Sequence, residues 1–203
     1  APAPHVHTLS NGHYSLLMTA SGGGVSRWGD LDLTRWRADT TLDDWGTWLY
    51  VQDRDSGALW SAAYQPVRVS PSASDVRFYA HKAEFRRTDH EIELTMEIAV
   101  APDDDVEIRR ITLYNRGEGP RRLALTSYGE VVMAAPPADG RHPAFNKLFI
   151  ESEYLPELDA LLFRRRPRAE SEAPVFLAHM ALAAGDNQRR AGDQQQARLT
   201  HSR

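Results

Sequence analysis

The sequence predicts an all-β fold of antiparallel strands packed as a sandwich, and two patterns support this prediction. Apolar and polar residues alternate along many short segments, which is typical of strands with one buried and one solvated face. Turn signals rich in Gly, Pro, Asn and Asp recur at a spacing of roughly ten residues, as expected for hairpin-connected strands. No segment has a helical period over about 11 residues, so the pattern disfavours a helical fold.

The first part of the chain contains strand candidates separated by glycine-containing turns. Asn11-Gly12 predicts a turn before a strand at 14–19, and three glycines predict a tight loop at 22–24. Such glycines allow positive φ angles or a close approach of the backbone to a ligand. No helix with Lys-Ser/Thr follows them, which argues against a nucleotide-binding loop. Further strands are predicted around Leu31 and Leu33, at 48–52 and, after a hairpin turn at 53–57, at 59–61.

The middle of the chain contains the clearest strand pattern. Apolar side chains occupy every second position of one segment, namely Ile92, Leu94, Met96, Ile98 and Val100. The next strand, 106–113, slips in phase at Arg109-Arg110, which predicts a β-bulge. Alternation at 76–85 and 123–131 predicts neighbouring strands, and the short turns between these segments favour a meander.

The last part of the chain begins with a break in the pattern at 134–140 and a predicted loop at 142–146. Apolar strands are predicted at 148–154, 161–163 and 175–182. Beyond Ala184 the chain is polar, so it cannot bury enough surface to order itself. The predicted organisation is a linker at 1–8, one β domain at 9–182 and a disordered tail at 183–203. The Ala-Pro-Ala-Pro opening predicts that the chain was excised from a longer protein.

Composition excludes several classes of function. The formal net charge is -4, with 24 Lys and Arg against 28 Asp and Glu, so nothing favours nucleic acid as a partner. The absence of cysteine excludes a disulfide framework, a zinc-thiolate site and a cysteine nucleophile, and is compatible with the cytosol. No apolar run approaches the roughly 18 to 20 residues needed to span a bilayer, so no direct membrane insertion is expected.

Three of the five tryptophans lie within one short stretch, at 28, 36 and 45, interleaved with Arg and Asp. Aromatic faces beside charged side chains suit a sugar, because its C–H groups pack on the ring while its hydroxyl groups form hydrogen bonds. The alternative is that these tryptophans fill a β core and that the charges are their solvated neighbours. Composition alone leaves both interpretations open.

The order of these motifs resembles the opening of a family 94 glycoside phosphorylase module, and most closely the copy inside cyclic β-1,2-glucan synthases. The residues that carry the resemblance run from about Leu9 to Leu182, and they include the segments 9–15, 22–24, 26–28, 34–37, 44–46, 53–57, 60–61, 64–66, 125–131 and 142–149. The sequence departs from the family pattern at Val25, where an aromatic residue is usual, and at Gly29, where a second Arg is expected. The resemblance stops at about Ala183, so the sandwich is expected to be incomplete, with an exposed sheet edge that invites self-association.

The resemblance implies a galactose mutarotase-like β-supersandwich that binds carbohydrate without catalysis. The family's catalytic Asp and phosphate site lie on a following (α/α)6 helical barrel, which this domain would support. The implied partners are a β-glucan oligosaccharide and that barrel, with no cofactor and no metal. The parent protein would be a glycosyltransferase and phosphorylase of the bacterial inner membrane, with this domain in the cytoplasm. The residues predicted to face sugar or barrel are Arg27, Trp28, Asp30, Arg35, Trp36, Asp44 and Trp45.

Other chemistries have weaker motifs. His5-x-His7 lacks a third metal ligand, and the acidic run at 103–105 lacks the spaced oxygen ligands of a calcium loop. Asp43-Asp44 and Glu151 with Glu153 could supply paired carboxylates for glycoside chemistry, but sequence does not give their separation. A mutarotase-like activity would need a His as base and a carboxyl group as acid, and no motif in the sequence identifies such a pair. The alternative function is a structural module that uses its Trp-Arg face for inter-domain contact or for a homodimer.

Overall fold

The computed structural model describes residues 5–37, 41–170 and 172–183. The chain divides into two compact units, which we call unit 1 (1–147) and unit 2 (148–203). The single domain predicted over 9–182 stays a prediction. Most of the tail predicted at 183–203 lies outside the described residues. The first strand begins at Val6, inside the segment predicted as a linker, because residues 6–10 pair with residues 15–19.

The described residues form fifteen strands and two short helices. Ten strands precede residue 116: β1 (Val6–Ser10), β2 (Tyr14–Thr19), β3 (Gly24–Trp28), β4 (Leu31–Thr34), β5 (Trp48–Asp53), β6 (Leu59–Ser61), β7 (Ala73–Tyr79), β8 (Lys82–Asp89), β9 (Ile92–Val100) and β10 (Glu107–Asn115). The remaining elements are β11 (Leu123–Tyr128), β12 (Val131–Ala134), α1 (Pro136–Arg141), α2 (Pro143–Lys147), β13 (Ile150–Leu155), β14 (Ala160–Arg165) and β15 (Val175–Met180).

These strands form four antiparallel sheets. Unit 1 contains a five-stranded sheet in the order β1-β2-β3-β4-β12, a four-stranded sheet in the order β10-β9-β8-β7, and a three-stranded sheet in the order β11-β5-β6. Unit 2 contains the sheet β13-β14-β15. Most neighbours are consecutive in sequence, as the predicted meander requires, and the all-β antiparallel supersandwich is therefore confirmed.

The core of unit 1 lies where the sheets present their apolar faces to one another. The alternation predicted for β9 is confirmed, since Ile92, Leu94, Met96 and Ile98 are buried while the intervening residues are partly exposed. These side chains share one buried cluster with residues of the other two sheets, including Leu16 and Trp60. Apolar burial of this kind contributes on the order of 25 cal/mol per Å² removed from water.

The bulge predicted at Arg109-Arg110 is wrong, because β10 pairs with β9 in one uninterrupted register from Glu107 to Asn115. The phase slip arises because two charged residues, Glu107 and Arg109, are on the inward-facing side of β10, while Ile108 is exposed. Glu107 Oε2 accepts hydrogen bonds from Tyr14 Oη at 2.9 Å and Ser26 Oγ at 2.7 Å. Arg109 Nε donates to Glu107 Oε1 at 2.6 Å, so the polar pair is satisfied where an apolar pair was expected.

These contacts determine the pKa values of two inward-facing groups. Burial opposes ionisation of Glu107, but Arg109 and the hydroxyl donors outweigh it and lower the pKa of this carboxyl group. Burial, together with the nearby Glu107 charge, raises the pKa of Tyr14 well above its ordinary value. Glu107 therefore stays ionised and Tyr14 neutral, which keeps the hydrogen bond between them directed from phenol to carboxylate.

The two helices lie where a break in the strand pattern was predicted at 134–140 and a loop at 142–146. Pro136 and Pro137 lie at the start of α1, where a missing N–H costs nothing because the first helical N–H groups have no intrahelical partner. Each helix is under two turns, too short for the period that would have predicted it.

A buried ion pair fixes the loop that follows β6 to the strand β8. Arg87 and Asp89 are each 3% exposed at the side chain, and their contacts are bidentate, at 2.6 Å and 2.7 Å. Arg87 also donates to the carbonyl oxygen atoms of Ala63, at 2.6 Å, and Val69, at 3.3 Å. One guanidinium thus satisfies acceptors from two loop positions as well as its counter-ion.

Candidate functional site

The hairpin between β3 and β4 holds an exposed tryptophan in a fixed orientation. Trp28 is the last residue of β3, and the turn after it passes through Gly29 with a φ of 53°. This left-handed conformation favours glycine and accounts for the departure from the family pattern at this position. The Trp28 indole is 42% exposed, and its Nε1 donates a hydrogen bond to Asp105 Oδ2 at 2.6 Å.

Asp105 belongs to a loop that is itself tied to the first turn of the chain. Asn11 Nδ2 donates to the carbonyl oxygen of Ala101 at 3.0 Å and to that of Asp104 at 2.9 Å. The loop at 103–105 was predicted to be a solvated turn, and its role as the anchor of Trp28 has no local sequence signal because the two segments lie 77 residues apart.

Arg27 and Asp30 flank Trp28 on the same hairpin. Arg27 Nε contacts Asp32 Oδ1 at 2.6 Å across the β3–β4 pair, and its side chain remains 41% exposed. Asp30 is exposed in the turn. Because Arg27 and Trp28 are successive residues of β3, their side chains lie on opposite faces of the hairpin, and the exposed carboxylate of Asp30 lies in the turn that follows Trp28.

Arg35 has a different environment, because it lies in a buried ion cluster. Its side chain is 6% exposed, with Nε at 2.9 Å and Nη2 at 2.8 Å from the two carboxylate oxygen atoms of Asp139. Its Nη1 contacts Glu130 at 2.5 Å, and its Nη2 also donates to the carbonyl oxygen of Pro143. Arg35 thus joins β4 to α1 and to the start of α2, and its hydrogen-bonding groups point into the protein.

The ion cluster perturbs the pKa values of both partners. The hydrogen bonds that Arg35 donates to Asp139, together with the charges of Asp139 and Glu130, raise the pKa of Arg35 above its ordinary value despite burial. Burial opposes ionisation of Asp139, but Arg35 and Arg37 outweigh it, so the pKa of this carboxyl group is lowered. Asp139 is therefore ionised wherever unit 1 is folded at neutral pH.

The lowered pKa of Asp139 predicts a pH dependence of stability. Because the folded state binds the proton of this group more weakly than the unfolded chain, its contribution is present above the ordinary carboxyl pKa of about 4 and is lost as the pH falls through the lower folded value. We expect Asp139→Asn to be destabilised at pH 7 and to show a shallower decline in unfolding free energy towards acid than the wild type. Urea unfolding as a function of pH measures both slopes.

Asp30→Asn is the control for this experiment, because that carboxyl group is exposed in a turn and its variant should follow the wild-type pH curve. Equal acid slopes for Asp139→Asn and the wild type would contradict the assignment of the pH dependence to this carboxyl group.

Trp36 and Trp45 lie next to this cluster and are half-buried. The guanidinium carbon of Arg37 lies 5.7 Å from the ring centroid of Trp45, within cation–π range. Arg37 Nη1 also donates to the carbonyl oxygen of Trp36 and to Asp139, both at 3.1 Å. Asp44, beside Trp45, is exposed. Arg37, which sequence reasoning did not select, is thus the residue that links Arg35's counter-ion to both tryptophans.

The glycine-rich loop makes its close approaches to its own chain. A Cβ at Gly24 would lie 2.1 Å from the carbonyl oxygen of Leu17, and one at Gly22 would lie 2.4 Å from the Cβ of Ala63. Asp43 also packs against the loop, where its Oδ2 accepts a hydrogen bond from Thr19 Oγ1 at 2.7 Å. A small cleft beside the loop has a volume of about 10 Å³, enough for one water but not for a sugar ring.

The structure therefore places the predicted residues in two groups. Contacts join Arg35, Trp36 and Trp45 through Arg37 and Asp139, whereas Arg27 and Trp28 are held by Asp32 and Asp105. Among the described residues, no set of three or more His, Asp or Glu side chains is arranged to hold a metal ion. The same part of the chain has no helix long and apolar enough to cross a membrane.

Comparison with known proteins assigns the chain to a family. A model described as the glycosyl hydrolase 94 supersandwich domain matches residues 1–196. The chain belongs to the glycoside hydrolase 94 family. The match extends past Leu182, where the resemblance was expected to stop, and it agrees with the supersandwich fold described above.

Three relatives illustrate which proteins contain a segment similar to this chain. The chain is 37% identical over 172 residues to the cyclic beta-(1,2)-glucan synthase NdvB of Rhizobium meliloti, covering 85% of this chain and 6% of the relative. It is 23% identical over 158 residues to N,N'-diacetylchitobiose phosphorylase of Vibrio furnissii, covering 75% and 20%. It is 30% identical over 102 residues to 3-O-beta-D-glucopyranosyl-beta-D-glucuronide phosphorylase of Paenibacillus borealis, covering 50% and 13%.

The chain thus spans a fifth or less of the length of these relatives. Their names refer to glucan synthesis and to phosphorolysis of two different disaccharides.

Proposed function

We propose that this chain is a non-catalytic carbohydrate-binding domain of a cyclic β-1,2-glucan synthase-like protein, and that it supports the glucan cleft of an adjoining (α/α)6 phosphorylase barrel. Its parent would be a glycosyltransferase and phosphorylase of the bacterial inner membrane. The observation that carries the proposal is the exposed Trp28 ring, anchored through its Nε1 to Asp105. The similarity to a glucan synthase supports the choice of a β-glucan as ligand.

An anchored indole is suited to bind a pyranose ring. The hydrogen bond to Asp105 uses the only donor of the indole and restricts its rotation, so little side-chain entropy is lost when a sugar packs on the exposed face. Asp30, in the turn after Trp28, supplies an acceptor for sugar hydroxyl groups, whereas Arg27 lies on the opposite face of β3, where it pairs with Asp32.

The second group of residues would serve the site indirectly. Arg35 is buried and bonded on every side chain nitrogen, so its proposed role is to hold β4 against α1 and α2. Asp44, Trp36 and Trp45 would then form the part of the surface that faces the barrel, with Trp45 held in place by Arg37.

A binding experiment tests the role of Trp28. We expect the isolated chain to bind β-1,2-linked gluco-oligosaccharides weakly, and Trp28→Ala to reduce the affinity about five- to tenfold, since an aromatic contact contributes roughly 0.5–1.5 kcal/mol. Asp105→Ala should weaken binding less, because the ring remains but is free to rotate. Titration followed by NMR measures both affinities.

The matched control is Tyr114→Ala, which removes another strongly exposed aromatic ring from unit 1, 62% exposed, and should leave sugar affinity unchanged. Equal affinity of Trp28→Ala and the wild type would show that Trp28 is not the sugar contact. If the chain binds no sugar at millimolar ligand but binds a separately produced barrel domain, the alternative function of an inter-domain module is favoured.

The proposal also predicts that the chain alone neither phosphorolyses nor hydrolyses a glucan. Phosphorolysis needs an acid aimed at the glycosidic oxygen and a cationic pocket that places phosphate opposite it. We expect the pure protein to release no glucose 1-phosphate above the blank from sophorose-series oligosaccharides and phosphate. Release that disappears in Asp30→Asn or Asp44→Asn would mean that the domain is itself an enzyme.

A further inference from the structure

The exposed ring of Trp28 lies beside four aspartates of unit 1. Asp105 accepts the hydrogen bond from Trp28 Nε1 at 2.6 Å, and Asp103 and Asp104 precede it in the loop between β9 and β10. Asp30 follows Trp28 by two residues, in the turn between β3 and β4. All four aspartates are exposed, and successive Cα atoms are only about 3.8 Å apart, so their charges act on one small surface.

None of these four carboxylates forms an ion pair within the described ranges 5–37, 41–170 and 172–183. Two arginines on adjacent strands are paired with other residues. Arg27 lies on the opposite face of β3 and contacts Asp32 at 2.6 Å, and Arg109, on β10, contacts Glu107 at 2.6 Å. The surface around Trp28 therefore carries a negative charge that these cations do not neutralise.

The loop between β9 and β10 is held together without the carboxylates of Asp103 and Asp104. Asn11 Nδ2 donates to the carbonyl oxygen atoms of Ala101 and Asp104, and the N–H of Val106 donates to that of Asp104 at 2.8 Å. In the part of the chain that the structure describes, neither of the two carboxylates accepts a hydrogen bond. Their charges can therefore be removed while the contacts that hold the loop remain.

An aromatic ring beside several carboxylates attracts cations. The face of an indole has a negative electrostatic potential, so an ammonium group packs favourably on it, and the carboxylate of Asp105 at Nε1 adds to this potential. Asp30 is placed to accept a charge-assisted hydrogen bond from such a group. A ligand carboxylate or phosphate would instead approach four like charges. Because the site is exposed to water, this preference is moderate and depends on salt.

We propose that the Trp28 site selects sugars by charge. It binds a pyranose that carries an ammonium group more tightly than a neutral pyranose, and it disfavours a pyranose that carries a carboxylate or a phosphate. The inference rests on the proposed sugar contact of Trp28 and adds the class of sugar that this contact accepts. Neutral glucans and amino sugars are then the favoured ligands of the domain, whereas uronic acids and phosphorylated sugars are disfavoured.

Three glycosides that differ only at C6 test the charge selection. They are methyl β-glucopyranoside, its 6-amino-6-deoxy analogue and the corresponding methyl β-glucuronide, and NMR titration of the full chain at neutral pH and low salt measures their affinities. We expect the ammonium glycoside to bind about three- to fivefold more tightly than the neutral one, and the glucuronide at least about threefold more weakly. High salt should reduce both differences and leave the affinity of the neutral glycoside unchanged.

The double variant Asp103→Asn/Asp104→Asn tests which charges are responsible. It should narrow the difference between the ammonium glycoside and the glucuronide and keep the affinity for the neutral glycoside, because Trp28 and Asp105 are unchanged. Glu118→Lys is the matched control, since it changes the net charge by the same amount. Glu118 follows β10 at the end opposite to the loop, and nine strand residues span roughly 30 Å, so this variant should bind as the wild type does.

The outcomes separate charge selection from sugar binding itself. Equal affinities for the three glycosides, all lost in Trp28→Ala, would overturn the charge selection and leave the sugar contact in place. An unchanged difference in the double variant would overturn the assignment to these carboxylates. If the ammonium glycoside alone binds and Trp28→Ala abolishes its binding, the charge selection is supported and the glucan-binding proposal fails. Binding of none of the three, or binding that Trp28→Ala leaves intact, overturns both.

Discussion

Asp89→Ala is expected to lower the free energy of unfolding by about 3–5 kcal/mol, because it removes one partner of a buried ion pair. Arg87 would keep its buried charge, with only the carbonyl oxygen atoms of Ala63 and Val69 as acceptors. Both side chains of the pair are 3% exposed, so water does not replace the lost carboxylate without opening the structure. Equilibrium urea unfolding followed by tryptophan fluorescence measures the loss.

The matched control lies on the neighbouring strand. Arg77 and Asp75 form an ion pair at 2.6 Å in the same sheet, but their side chains are 56% and 47% exposed. Exposed pairs contribute little because water and salt screen them, so Asp75→Ala should unfold almost as the wild type does. A loss as small for Asp89→Ala as for Asp75→Ala would show that the buried pair does not stabilise unit 1.

Gly24→Ala is expected to destabilise the protein by about 3–5 kcal/mol, through backbone strain and steric overlap together. Gly24 has a φ of 156°, which L side chains rarely adopt. A Cβ there would meet the carbonyl oxygen of Leu17 at 2.1 Å and the Cα of Met18 at 2.9 Å. Both are backbone atoms of the paired strand β2, so they cannot move aside as a side chain could. Thermal unfolding followed by circular dichroism measures the effect.

Gly12→Ala separates the two causes. Gly12 also has a positive φ, 100°, but a Cβ there would meet nothing within 4 Å. This variant should lose only the conformational term, roughly 1–2 kcal/mol. If Gly24→Ala is no less stable than Gly12→Ala, the close approach of β2 and β3 does not constrain this position.

A strand could be predicted from the sequence where its apolar side chains all face the core and its polar side chains all face solvent. β9 alternates from Ile92 to Ile98 because one face meets the core and the other meets solvent. Alternation did not predict β10 correctly, because Glu107 and Arg109 face inward. Their hydrogen-bond partners there are Tyr14, Ser26 and the carbonyl oxygen of Thr47. Because the alternation rule assigns charged residues to the solvent-facing side, it predicts an irregularity in such a strand where there is none.

The candidate site was predictable only in part, for a related reason. The clustering of tryptophans identified Trp28, whose exposed ring carries the proposed sugar contact. The same stretch included Arg35, whose counter-ion Asp139 lies 104 residues away in a helix that no sequence period predicted. The sequence therefore indicated which residue types were concentrated there, but the division between exposed and buried members depends on distant partners.

The five-stranded sheet of unit 1 has a consequence for how the protein folds. Its strand β4 pairs with β12, so the sheet is complete only after residues 31–34 have paired with residues 131–134. Closing a loop of this length costs conformational entropy before the favourable contacts between the two strands can form. This slows folding relative to helical proteins of equal length. The strands β7 to β10 pair only with sequence neighbours, so this meander can form while β4 still lacks its partner. On the ribosome, unit 1 would then emerge as a folded meander joined to an open sheet, with the edge of β4 exposed until β12 follows.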